Sequence, residues 1–147
     1  MGRESKFWTQ TVKPKLIGHS ERIESPIGSG VPDVFNIVKG IVNVIELKDK
    51  PTWEEGLGTT RIQRYWLNRW HVEGGHAYLL ARCGKEMFFI SAEYIEIMPG
   101  QTMEDFRVMA QVWSPKAFDH AHWGQVNSIL RTGTVPEHTS NALVPLF

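Results

Sequence analysis

Apolar residues in this chain fall into stretches of two different periods. Phe7, Trp8, Val12 and Leu16 recur at helical spacing and predict an amphipathic helix over residues 4–16, with Pro14 weakening its last turn and Gly18 ending it. Residues 19–25 read as a strand, and Pro26-Ile27-Gly28-Ser29-Gly30 as a loop. The runs VPDVFNIV (31–38) and IVNVIELK (41–48) are rich in β-branched residues and are separated only by Lys39-Gly40. Two such runs joined by two residues predict a tight hairpin. Residues 49–58 hold a proline, two glycines and four charged residues, and read as a surface loop. Thr59 or Thr60 caps a helix over about 60–72, which Glu73-Gly74-Gly75 stops.

The second half continues the pattern. HAYLLARC (76–83) is a mostly apolar run of the kind that sits inside a sheet. EMFFIS (86–91) follows after Gly84-Lys85 and predicts a second hairpin. Met103, Phe106, Met109 and Ala110 share one side of a helix over 102–112. Phe118, Ala121, His122, Val126, Ile129 and Leu130 mark another over 116–131, and the tail from Gly133 has no clear period. The predicted order is α-β-β-β-α-β-β followed by a C-terminal helical extension, an α/β (α+β) fold.

Composition narrows the function. At 147 residues one domain is expected, with a core over about 1–98 and the extension and tail over about 99–147. The 16 basic residues balance 16 acidic ones, which speaks against binding nucleic acid by bulk charge. Cys83 is the single cysteine, so neither an intrachain disulfide nor a Cys-x-x-Cys metal site can form, and its apolar run makes it inert core. No apolar run is long enough to span a membrane, and the first ten residues lack a signal peptide's apolar stretch, so a cytoplasmic location is expected.

Chemistry concentrates on the first hairpin. A two-residue turn at 39–40 places Val38 opposite Ile41 and, counting on, Asp33 opposite Glu46. Opposed residues share a face with Cβ atoms about 4.5–5.5 Å apart. Two carboxylates so placed repel unless a cation lies between them. Glu46 and Lys48, two apart on one strand, share that face as well. Hard oxygen ligands of this kind suit Mg²⁺ or Mn²⁺. The competing reading makes Glu46 and Lys48 the solvent face of an edge strand. The apolar surroundings in IVNVIEL favour a site. Elsewhere, Gly28-Ser29-Gly30 lacks the Gly-Lys-Ser/Thr of a phosphate-binding loop. His120 and His122 point about 200° apart on a helix and make no metal pair.

These residues carry a resemblance. Gly30-Val31-Pro32-Asp33 and Ile45-Glu46-Leu47-Lys48, with twelve residues between Asp33 and Glu46, resemble the signature of the PD-(D/E)XK nuclease superfamily. The similar subgroup is the VRR-NUC type together with phage and archaeal Holliday-junction resolvases. A helix bearing Gln63 ahead of Gly74-Gly75 fits the same pattern, and the likeness spans roughly residues 20–91. It implies a restriction-endonuclease-like core, a central mixed β-sheet flanked by helices, and Mg²⁺-dependent cleavage of DNA phosphodiester bonds. Asp33 and Glu46 would hold the metal, with the Leu47 carbonyl, and Lys48 would act on the attacking water or the developing charge. The family places an acid on the first helix, here Glu4. Glu24 on the first strand is preferred, because Glu4 lies in a stretch expected to fray.

Gln63 falls on one helix face with Trp66, Leu67 and Trp70, so its amide is expected to point inward, toward Lys48 or its water. Arg22, Lys50, Arg61 and Arg64 are the expected DNA contacts. Trp53 either inserts at a strand junction or covers the core. The implied substrate is branched DNA of the junction type, in phage-type recombination. Symmetric cutting implies a homodimer, with the 102–131 helices and Leu143–Phe147 as interface material. A non-cleaving DNA-binding protein on the same core, or a sequence-specific restriction-type enzyme, are the alternatives. Residues 1–50 hold 8 basic and 6 acidic side chains. Overall neutrality then reads as metal-ligating acids cancelling a modest DNA-binding charge.

Overall fold

The computed structural model describes residues 2–23, 28–53 and 56–133. Helix α1 (Arg3–Lys6) runs on into a π-helical stretch, Phe7–Val12, and a 3₁₀ turn, Lys13–Lys15. The 3₁₀ turn holds Pro14, whose missing N–H prevents a regular α ending. Six strands follow in one mixed sheet whose spatial order is their chain order. They are β1 (His19–Arg22), β2 (Val34–Val38), β3 (Ile41–Lys50), β4 (His76–Cys83), β5 (Glu86–Ser91) and β6 (Val112–Ser114). Neighbours pair antiparallel except β3 and β4, which are parallel, and α2 (Arg61–Val72) makes that crossover. A 3₁₀ segment (Ala92–Ile97), α3 (Met103–Met109) and α4 (His120–Thr132) complete the chain.

The hairpin register is the one that the two-residue turn dictates. Val38 pairs with Ile41 and Val34 with Ile45. Lys39 and Gly40 both have positive φ, 48° and 88°, as the tight hairpin turn requires.

The sheet is covered on both faces. Phe7, Trp8 and Val12 pack with Trp123, Val126, Ile129 and Leu130 of α4 over Ile45, Leu47, Tyr78 and Leu80. On the other face, Leu67 of α2, Ile95, and Phe106 and Met109 of α3 pack over Val44, Leu79, Ala81 and Phe88. β4 is therefore buried on both sides, as its apolar run predicts.

Three expectations are corrected. The first strand ends at Arg22 rather than at residue 25. Residues 49–50 belong to β3 rather than to a surface loop, and Asp49 is buried. The segment after α3 is not purely helical, because Val112–Ser114 adds β6 to the edge of β5. The 102–131 helices turn one side onto the sheet. Their apolar residues are in the core, and a buried amide relay ties α4 down: Asn43 donates to Asn36 and to the Leu130 carbonyl, both at 3.0 Å. The segment Leu143–Phe147 lies outside the described residues.

Because α4 is core, Ile129→Ala should destabilise the protein by about 2–5 kcal/mol in urea unfolding. A surface used only for association would leave unfolding unchanged and alter the oligomeric state instead.

Candidate metal and catalytic site

Asp33 sits in the bend immediately before β2, and its main chain is tied to the end of β1 by a 2.7 Å bond from the Ile23 N–H to the Asp33 carbonyl. Its Oδ2 accepts a hydrogen bond from the Leu47 N–H at 2.8 Å. The carboxylate is thereby held against β3, beside Glu46. Glu46 and Lys48 share the face of β3 that carries Val44, near its C-terminal end.

Both side chains are buried. Glu46 is 2% exposed and Lys48 8%, and Lys48 Nζ stands 3.6 Å from Glu46 Oε2. Glu46 Oε1 is buried with no hydrogen-bond partner. Burial, and then the Asp33 charge, push the Glu46 carboxyl up to about 9 against the pull of Lys48, and a hydrogen bond to Asp33 raises it further. The pair of acids therefore holds a proton at neutral pH in the absence of a cation.

Glu4 belongs to this group. It lies in α1 and is half-buried. Burial raises its pKa; Lys48 pulls it down, Asp33 pushes it up, and Lys50 and Arg22 also pull it down. Glu24 lies outside the described residues.

Among the described residues no three His, Cys, Asp or Glu side chains converge into a ready metal cage. What Asp33 and Glu46 offer is a partial set of hard oxygens. One of them is an orphaned buried oxygen, and its neighbour is a like charge. A divalent cation would partner Oε1 and remove the repulsion, so the residues fit such an ion. The Leu47 carbonyl lies on the same strand between Glu46 and Lys48.

The other candidates fall in different places. Gln63 caps α2: its Oε1 accepts from the Thr60 N–H at 2.9 Å and its N–H donates to Thr60 Oγ1 at 3.1 Å. That reciprocal capping box takes up the amide oxygen that was expected to face Lys48. Arg64 bonds Thr59, and Arg22 Nη1 donates to Ser5 Oγ at 2.7 Å. Lys50 lies against the main chain at Gly58, where a Cβ would meet its Nζ at 2.9 Å. Arg61 is exposed on α2. Trp53 packs edge-on to Phe106 at 4.8 Å and covers the core. Asp119 and His122 form the capping box of α4. Cys83 is buried, and burial raises its pKa, in keeping with inert core.

No protein-family model matches the chain, and no curated protein is similar to it. Among the described residues no helix is long and apolar enough to cross a membrane.

Since the folded pKa of Glu46 lies above its unfolded value of 4.5, its proton stabilises the fold fully below pH 4.5. That contribution is lost as pH rises toward 9. Thermal unfolding from pH 5 to 9 without divalent ions should show the native Tm falling more steeply than that of Glu46→Gln. Parallel curves would contradict the buried, protonated Glu46.

Proposed function

We propose that the chain is a metal-dependent endodeoxyribonuclease of the PD-(D/E)XK type, selective for branched DNA. The observation that carries this reading is Asp33 held against the strand of the buried Glu46 with buried Lys48 beside it, one Glu46 oxygen lacking a partner. A structural ion pair would not bring a second carboxylate against the first. The motif residues Pro32-Asp33 and Glu46-Leu47-Lys48 add the likeness to the nuclease family.

Asp33 and Glu46 would hold Mg²⁺, or Mn²⁺ in its place, with the Leu47 carbonyl as a further oxygen. A bound ion of this kind polarises the scissile phosphate and lowers the pKa of a bound water. Asp33 is oriented by the Leu47 N–H, so it meets the ion without searching rotamers. Glu46 would have to give up its proton to hold a divalent ion, so protons and the cation would compete for its carboxylate. Lys48, buried beside Glu46, holds the attacking water or offsets charge developing on the phosphate. Gln63 supports this arrangement indirectly, by fixing the start of α2. Arg61, Lys50, Arg22 and Arg64 supply phosphate contacts. Cutting two strands of a junction symmetrically calls for a homodimer.

The test is a cleavage gel with a labelled four-way junction and a linear duplex, in Mg²⁺ or in EDTA. The junction should be cut only with Mg²⁺. Asp33→Asn, Glu46→Gln and Lys48→Ala should each lower the rate by about 10²-fold or more. The Mg²⁺ concentration for half-maximal rate should fall as pH rises from 6 toward 9, because protons and metal compete for Glu46. Binding without any metal-dependent product would assign instead a non-cleaving DNA-binding protein. Discrete cuts in the plain duplex would assign a sequence-specific enzyme.

A further inference from the structure

Exposed apolar surface gathers on one side of the molecule. Among the described residues six large apolar side chains are exposed, and three of them, Ile62, Tyr65 and Val72, are on α2. Two more, Ile37 and Val42, pair at the turn end of the β2–β3 hairpin, on the face that also carries Phe35. Phe35 packs edge-on to Trp66 at 6.5 Å and to Trp70 at 6.2 Å, so this hairpin face and α2 form one surface. An apolar patch of this kind marks a binding surface.

The patch contains a cleft of about 410 Å³ lined by Tyr65, Trp66, Arg69, Trp70, Glu73 and Gly75. The Trp66 and Trp70 rings are stacked, with centroids 5.1 Å apart and an interplanar angle of 16°. Phe35 supports both rings, and Gly75 takes the edge of the Trp70 indole, where a Cβ would lie 2.3 Å from Nε1. Trp70 Nε1 is buried there without a hydrogen-bond partner, so the ring holds its place at a cost to stability. Tyr65 stands 66% exposed at the same cleft. Arg69 is more than half exposed and its ion pair with Glu73 is long, 3.8 Å, which leaves the guanidinium free to take another anion.

The lining selects the ligand. Fixed aromatic rings bind flat π systems by stacking, and an arginine beside them adds an anion contact. An alkylated ammonium, the other common guest of aromatic clefts, would meet the Arg69 charge. A nucleotide carries both matching parts, a π face and a phosphate. The position agrees with this. α2 meets the Asp33 segment at Ile62, packed so closely on Gly30 that a Cβ there would lie 2.4 Å from Ile62 Cγ2. Tyr65 and Trp66 follow one turn later, about 5 Å along the helix. A strand with a phosphate at Asp33 and Glu46 would therefore carry its neighbouring bases toward this cleft.

We propose that the cleft is a stacking platform for unpaired bases of a DNA strand, with Arg69 on an adjoining phosphate. This rests on the nuclease reading above and narrows its substrate to branched DNA with a single-stranded arm.

The test is binding of the full chain, in EDTA, to two fluorescein-labelled strands of about twelve nucleotides, oligothymidine and an abasic strand. Equal numbers of phosphates make the charge contribution the same for both. Oligothymidine should bind about 10-fold more tightly than the abasic strand and quench the tryptophan emission. Tyr65→Ala, at an exposed position, should raise the oligothymidine Kd by about 10-fold and leave the abasic Kd unchanged, and Tyr65→Phe, which keeps the ring, should bind as wild type does. Equal affinity of wild type for the two strands overturns the proposal, as does a loss in Tyr65→Ala shared by both. A wild type that self-associates, with Tyr65→Ala monomeric and its oligothymidine affinity unchanged, gives the face to a second copy of the chain and also overturns it. No metal is present in the binding step, so the two readings fail separately. A preference for oligothymidine without Mg²⁺-dependent cutting overturns only the nuclease reading, and Mg²⁺-dependent cutting without that preference overturns only this inference.

Discussion

Asp33 is set against buried Glu46 near the C-terminal end of a central strand of an apolar sheet, and the local structure holds the two carboxylates there despite their repulsion. Glu46 is 2% exposed, its Oε1 has no partner, and Asp33 is held against the same strand by the Leu47 N–H. Lys48 at 3.6 Å compensates only part of the cost. Burial first, and the Asp33 charge after it, raise the Glu46 pKa to about 9, so in the absence of metal a proton on Glu46 relieves the rest. A fold selected for stability alone would place apolar side chains there. The arrangement has a physical rationale if a cation takes the proton's place.

The surrounding structure keeps that pair from relaxing apart. β3 lies between β2 and β4; Glu46 pairs with Leu79 of β4, and on the β2 side, where the ladder ends at Ile45, the Asp33 carboxylate takes the Leu47 N–H. The segment of α1 and its π-helical continuation shares a core cluster with α4, which draws residues near both ends of the described chain onto one face. The amides of Asn36 and Asn43 connect these parts: Asn36 Nδ2 reaches the Ile17 carbonyl and Ser20 at 2.9 Å, and Asn43 reaches Leu130. Polar groups buried this way select one packing, since any other leaves them unpaired. Chemistry at the hairpin end and order at the sheet centre are linked through β3.

What was legible in the sequence follows from the range of each interaction. The hairpin register depends only on a two-residue turn and period-2 alternation, so Asp33, Glu46 and Lys48 were found together from local rules. Strands β4 and β5 were equally local, bounded by Gly74-Gly75 and Gly84-Lys85. The capping box of α2 was also present as Thr60-x-x-Gln63, and it explains Gln63 better than the inward-facing amide. β6 was lost because three residues, Val112–Ser114, carry too little period to stand out after a helix. Asp49 was read into a surface loop for a different reason. Its burial depends on the parallel β3–β4 register, which joins it to Arg82 across a gap of 33 residues. No local pattern encodes that pairing.

The central claim is that the Asp33–Glu46 pair is a divalent-cation site. Crystals grown with Mn²⁺ and measured at the manganese absorption edge test it most directly. The account predicts an anomalous peak in direct contact with carboxylate oxygens of both Asp33 and Glu46, Oε1 of Glu46 among them. Ordered Asp33 and Glu46 side chains at saturating Mn²⁺ with no peak between them would contradict it.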